Sequence, residues 1–184
     1  VKEIIQKVGY PDIITFTNVF AHIEDLQTLI FNLKQLIKNK TVVVIENHYL
    51  GAVLKTGQFD TFYHEHPRTY SFQSFNYIAR RLNLNIQNVE FVSRYGGNIR
   101  VFLGQGKKTE IAVNESNFVN LFKKMNNEIK VWIDSTTKKI NDLVRIYGPL
   151  RAKAFPGRAA ILIKLLNLNE NQISAVYEIK GSIK

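Results

Sequence analysis

Cysteine is missing from this chain of 184 residues, and methionine and tryptophan occur once each. Without a thiol there is no disulfide, no thiolate nucleophile and no cysteine-built zinc site, a composition that fits a cytoplasmic protein. No run of about 18 apolar residues occurs, so no transmembrane helix and no membrane partner are expected. The opening "VKEIIQKVGYPDII" has neither an initiating methionine nor the layout of a signal peptide, as expected of part of a longer chain. Acidic residues are in deficit: 15 Asp and Glu stand against 25 Lys and Arg, a formal charge of +10. That surplus favours anionic partners. The cations are scattered through helical stretches, however, with no basic block and no RNP-type aromatic pattern, so nucleic-acid binding is not expected.

What is present is ordinary globular composition, 45% hydrophobic and 22% charged, enough for a real core. "PDIITFTNV" (11–19) reads as a buried strand, short, apolar and β-branched after a proline. "IEDLQTLIFNLKQLIK" carries apolar residues three and four apart, the mark of an amphipathic helix, with Glu24 and Asp25 at its positive end. "TVVVIEN" (41–47) is a second buried strand, and strand–helix–strand indicates a parallel α/β unit. "SFQSFNYIARRLNL" (71–84) reads as a helix with Ser71 as N-cap. "IQNVEFVSR" and "GNIRVFLG" read as an antiparallel pair at a sheet edge, around the turn "YGG" (95–97). From about 114 to 145 the pattern is helical, as one long helix or two in succession. "RAAILIKLLNL" resumes helix and "ISAVYEI" (173–179) is a strand. The expected class is α/β. Residues 1–105 form one domain, and 106–184 a helical linker with part of a second α/β lobe.

Ligands of open α/β sheets bind beyond the carboxyl ends of the strands. The first strand runs into "NVFAHI", placing Asn18 and His22 at that edge, and the second into "ENHYL", placing Glu46, His48 and Tyr49 there. The next loop, "FDTFYHEHPRTYSF" (59–72), crowds Tyr63, His64, Glu65 and His66 together in a chain with 4 histidines. Folded over the same edge, it would bring all four histidines to one cleft. Three readings of this cluster stand: a metal site using His64 and His66, a polar loop filling space, or a proton-transfer site. In the last, a neutral imidazole acts as base, a carboxylate orients it, and a tyrosine hydroxyl donates to a developing oxyanion.

Taken together, "NVFAHI…DL", "VVVIENHYL", "FDTFYHEH…YSF" and "YGGNIRVF" resemble the sugar C-methyltransferase family, strongly over residues 10 to 104. "YGPLRAKAFPG…LNLNENQISAVYE" is similar to its second lobe. The resemblance implies the later half of a class I methyltransferase Rossmann-like sheet, followed by part of a substrate domain. It implies S-adenosylmethionine as cofactor and a nucleotide-linked keto-deoxysugar as partner, methylated on the carbon beside the ketone. His66 would then be the general base, Tyr63 and Glu65 would hold the sugar near its keto oxygen, and His22 would meet the ketone or its enolate. His64, Asn98, Arg100, Arg151 and Lys153 would contact substrate. Arg151 and Lys153 belong to "YGPLRAKAFPGR", which opens a helix near Arg158 and would suit a diphosphate. Asn18, Glu46 and His48 would face the cofactor. Plainer readings exist: a turn for Asn98, an exposed strand position for Arg100, a basic connecting turn for the loop.

The family's cysteine-rich zinc module, glycine-rich turn and acidic ribose-holding residue have no counterpart here. This chain alone is therefore expected to bind S-adenosylmethionine poorly. Other readings are a non-catalytic nucleotide-sugar-binding or interaction module, and a metal-dependent hydrolase or isomerase. Homo-oligomerisation is left open.

Overall fold

A proline followed by alternating apolar residues starts the first strand, β1 (Ile13–Thr17), which is preceded by a short helix, α1 (Lys2–Val8), that buries nothing. The chain is described here from a computed structural model, over residues 1–153, 157–178 and 180. It divides into two compact units: residues 1–56 with 64–119, and residues 57–63 with 120–184.

In the first unit β1 pairs in parallel with β2 (Val42–His48), from Ile13 opposite Val42 to Thr17 opposite Glu46. Between them runs α2 (Leu26–Leu36), started by Asp25, whose carboxylate accepts from the Thr28 N–H at 2.9 Å. A short helix, α3 (Leu50–Thr56), leaves the end of β2. Then α4 (Phe72–Arg81) leads into β3 (Asn85–Val92), which turns back as β4 (Asn98–Gly104). The sheet order is β1-β2-β4-β3, and β4 lies antiparallel to both its neighbours. Three strands therefore run one way and the inserted fourth runs against them. The fold is α/β with a mixed sheet.

Alternation decides what each strand buries. Val43, Ile45, Ile99, Val101 and Leu103 point to one face and are completely enclosed beneath Ile30 and Leu33 of α2 and Phe75 and Ile78 of α4. The opposite face carries Val44, Glu46, Arg100 and Phe102. β1 corrects the sequence reading. It is an edge strand and only half-buried, with Ile14 and Phe16 packed on the core while Thr15, Thr17 and Ile13 (64% exposed) face out. A run of β-branched residues reads alike in a central and an edge strand, since only neighbours in the sheet decide burial.

Ser71 caps α4 as expected: its hydroxyl accepts from the Ser74 N–H, and the Ser74 hydroxyl accepts from the Ser71 N–H, both at 3.2 Å. The Glu115 carboxylate also takes the Phe72 and Gln73 N–H groups, at 2.7 and 3.2 Å. With that second cap left in place, Ser71→Ala is expected to destabilise by about 1 kcal/mol. A melting temperature lower by about 3 °C in a thermal unfolding curve would show it.

In the second unit the helical region is one helix, α5 (Phe118–Tyr147). Past Gly148, at φ 73, comes a four-residue strand, β5 (Leu150–Lys153), then α6 (Ala159–Leu166) and β6 (Ile173–Tyr177). β5 and β6 pair in parallel, and with α6 between them they form a β–α–β unit. The middle of "YGPLRAKAFPGR" (154–156) and the end of the expected last strand, Ile179, lie outside the described residues. Among the described residues, no helix is long and apolar enough to cross a membrane.

Candidate active site

β1, β2 and β3 all end at one edge of the sheet, and β4 begins there. After β1, Asn18 takes a left-handed conformation (φ 54) that asparagine tolerates, and its N–H donates to the Glu46 carbonyl at 2.9 Å. The chain then forms one tight turn, Phe20–His22, with Phe20 fully buried. The Asn47 side-chain oxygen accepts from the Ala21 N–H at 3.3 Å and anchors this turn. His22 is thereby presented at the rim. His48 is the last residue of β2.

The loop carrying His66 is sewn to the same edge. Tyr49 and Tyr70 form an isolated parallel bridge, and the Leu50 N–H donates to the Tyr70 carbonyl at 2.8 Å. The Tyr70 hydroxyl donates to the Phe20 carbonyl at 3.3 Å, and the Arg68 guanidinium donates to the Ile23 carbonyl. Burial pushes the Tyr70 phenol up to about 12, so it remains a donor across the working pH range. The result is a row of rings. His66 lies 4.6 Å from His22 and 6.0 Å from His48 between ring centroids, at interplanar angles of 70° and 71°. Tyr95 extends the row, 6.1 Å from His48 and nearly perpendicular to it. Three imidazoles drawn from three separate segments meet with His66 in the centre.

Behind the row lies a charged ladder on the sheet face opposite the core. Glu46, Arg100 and Glu90 stand opposite one another on β2, β4 and β3. The Glu46 carboxylate, 3% exposed, accepts from Arg100 Nε at 2.8 Å and Nη2 at 2.7 Å, and from Asn98 Nδ2 at 3.0 Å. Arg100 Nη1 donates to Glu90 at 2.7 Å, and Arg94 approaches Glu46 at 3.8 Å. Burial alone would raise the Glu46 carboxyl. The hydrogen bonds from Asn98 and Arg100, with the charges of Arg100 and Arg94, outweigh it and hold the group below the usual carboxylate range. Asn98 Nδ2 also donates to Asn18 Oδ1 at 2.9 Å; its own oxygen is buried without a hydrogen-bond partner among the described residues.

His22, His48, His66, Asn18, Glu46, Asn98 and Arg100 thus share one edge. His64 and Glu65 sit on the loop surface, 3.9 Å apart with side chains 77% and 51% exposed. Tyr63 belongs to the other unit, where the Arg158 guanidinium lies over its ring at 5.9 Å and pairs with Asp60 at 3.4 Å. Arg151 lies over Tyr177 at 5.9 Å, and Lys153 is exposed at the end of β5. The sequence reading assigned no site role to Asn47, Arg68, Glu90 or Tyr95. The alternation of Glu90 with Val89 and Phe91 was the available signal for one of them.

The turn that carries Tyr95 is tight. Gly97 sits at φ 127, and a Cβ there would come within 2.4 Å of the Ala52 Cβ on α3. Gly97→Ala is therefore expected to destabilise by about 1–3 kcal/mol, read as a lowered urea midpoint.

Among the described residues no group of three or more His, Asp or Glu side chains could hold a metal ion. Of the residues expected to face S-adenosylmethionine, Asn18 and Glu46 hydrogen-bond within their own network with Asn98 and Arg100.

No family model matches the chain. Over 101 residues it is 30% identical to the C-methyltransferase NovU of Streptomyces niveus, a stretch that covers 55% of this chain and 24% of that protein. The chain thus spans about a quarter of the relative it matches, and the likeness is to a C-methyltransferase.

Proposed function

We propose that this chain carries the carbon-acid chemistry of a C-methyl transfer to a nucleotide-linked keto-deoxysugar, with His66 as general base. The observation that supports it is the position of His66 at the carboxyl edge, flanked by His22 at 4.6 Å and His48 at 6.0 Å. The neutral His66 imidazole takes a proton from the carbon beside the ketone, and the C–H electron pair moves into the carbonyl to give an enolate. His22, on the rim beside His66, is the group nearest to hold the enolate oxygen, where a donor lowers the barrier most. S-adenosylmethionine is the methyl donor this reading implies, and the chemistry assigned to these residues stops at the enolate. The likeness to a C-methyltransferase over 101 residues supports this class of reaction, whereas nothing favours the metal-dependent or non-catalytic alternatives.

The test is hydrogen exchange. The chain, mixed with a nucleoside-diphosphate-linked 4-keto-6-deoxyhexose in deuterium oxide, should erase the NMR signal of the proton beside the ketone. Line broadening without exchange would indicate a binding module instead. Neither effect would end the proposal.

A further inference from the structure

Tyr95 stands at the end of the ring row with no role in the chemistry just described, and its geometry is unusual. It holds a left-handed backbone at φ 51, directly before Gly96 and Gly97, which take positive φ without penalty. Asparagine or glycine would adopt that conformation far more readily than an aromatic residue. The ring is nevertheless 62% exposed, so core packing does not account for it. Its surroundings are specific. The Arg94 guanidinium lies over the ring, 5.5 Å from its centroid, while reaching toward the Glu46 carboxylate at 3.8 Å. The His48 ring meets it at 84°. Cation and imidazole fix the ring, and much of it still faces outward at the end of the row that holds His66.

We propose that Tyr95 is a sugar platform: its free face receives the apolar C–H face of the pyranose and sets the ring over His66. The negative face of an aromatic ring attracts polarised C–H groups as it attracts other positive edges. This rests on the carbon-acid reading above and names the part of the ligand that the turn recognises. Tyr95 is a positioning residue, and it takes no part in moving the proton.

Tyr95→Asn keeps a side chain suited to the backbone, and Tyr95→Phe keeps the ring face. Both would be compared with the unchanged chain in the exchange reaction, alongside melting temperature and NMR titration with the bare nucleoside diphosphate. Tyr95→Asn should raise the KM for exchange about tenfold with little change in kcat, the pattern of lost ground-state and transition-state binding alike. Its melting temperature should not fall, its affinity for the bare diphosphate should not change, and Tyr95→Phe should behave as the unchanged chain. An unaltered KM in Tyr95→Asn overturns the platform and leaves the carbon-acid reading standing. So does an equal loss in Tyr95→Phe, which would assign the role to the hydroxyl, or a parallel fall in melting temperature. Absence of exchange in the unchanged chain removes both.

Discussion

Replacing His66 by alanine is expected to slow deuterium incorporation beside the ketone by about 10²- to 10⁴-fold, the range in which a positioned general base contributes. The neighbouring imidazoles are held in other positions. His22 and His48 flank His66 at 4.6 and 6.0 Å, but each belongs to a different element, the turn after β1 and the end of β2. Substrate affinity should survive, because the contact assigned to the sugar ring lies on Tyr95. The measurement is the exchange rate at saturating sugar nucleotide, with binding followed separately by line broadening. Exchange in His66→Ala within about threefold of the unchanged chain, well short of that range, would strip His66 of its role.

The second large effect concerns stability. Glu46→Gln leaves Arg100 and Asn98 without their charged partner in a place that is 3% exposed. Removing one member of a buried pair is costlier than the pair's net worth, because the survivor keeps its desolvation penalty. Arg100 still reaches solvent and retains Glu90, which softens the loss to about 2–3 kcal/mol. In a chain of this size that is a melting temperature lower by about 8 °C. The pH dependence follows from the lowered Glu46 carboxyl. A group depressed in the folded state lends its stability in full above its ordinary value, near 4.5, and loses it as pH falls through the lower folded value. Urea midpoints of the unchanged chain and of Glu46→Gln should therefore differ at neutral pH, approach one another as pH falls below that ordinary value, and meet below the lower folded one. Parallel curves at all pH would mean that the ladder contributes nothing through charge.

The strands and helices that bury one clear face were legible. β2 and α4 stand out because their apolar spacing has one period each and Ser71 announces the start of α4. α3 was not foreseen: it follows β2 after a single residue, with Gly51 in its first turn and no capping side chain to mark its start. β5 was missed because "LRAK" has no apolar run, and its partner β6 lies about twenty residues further on. At the site, "NVFAHI" and "ENHYL" pointed to the sheet edge because parallel strands must end somewhere in common. The salt ladder could not be read. Glu46 and Arg100 are 54 residues apart, and only the insertion of β4 beside β2 sets them opposite each other. The division of "YHEH" after Tyr63 was equally hidden, since contact between distant segments, not local sequence, decides which unit each residue joins.

The insertion of β4 also dictates an order of assembly. β1 and β2 are complete once residue 48 has left the ribosome, but the other edge of β2 has no strand to pair with until residues 98–104 follow it. At roughly 5–20 residues per second that is an interval of several seconds. During it a row of unpaired N–H and C=O groups, flanked by Val43 and Ile45, is open to strands from other chains. The hairpin of β3 and β4 is local and can form quickly by itself, whereas its docking onto β2 closes a loop of about fifty residues and is the slow, vulnerable event. Until that docking occurs Arg100 has not reached Glu46, so the same arginine that steadies the finished sheet also marks the last strand to arrive.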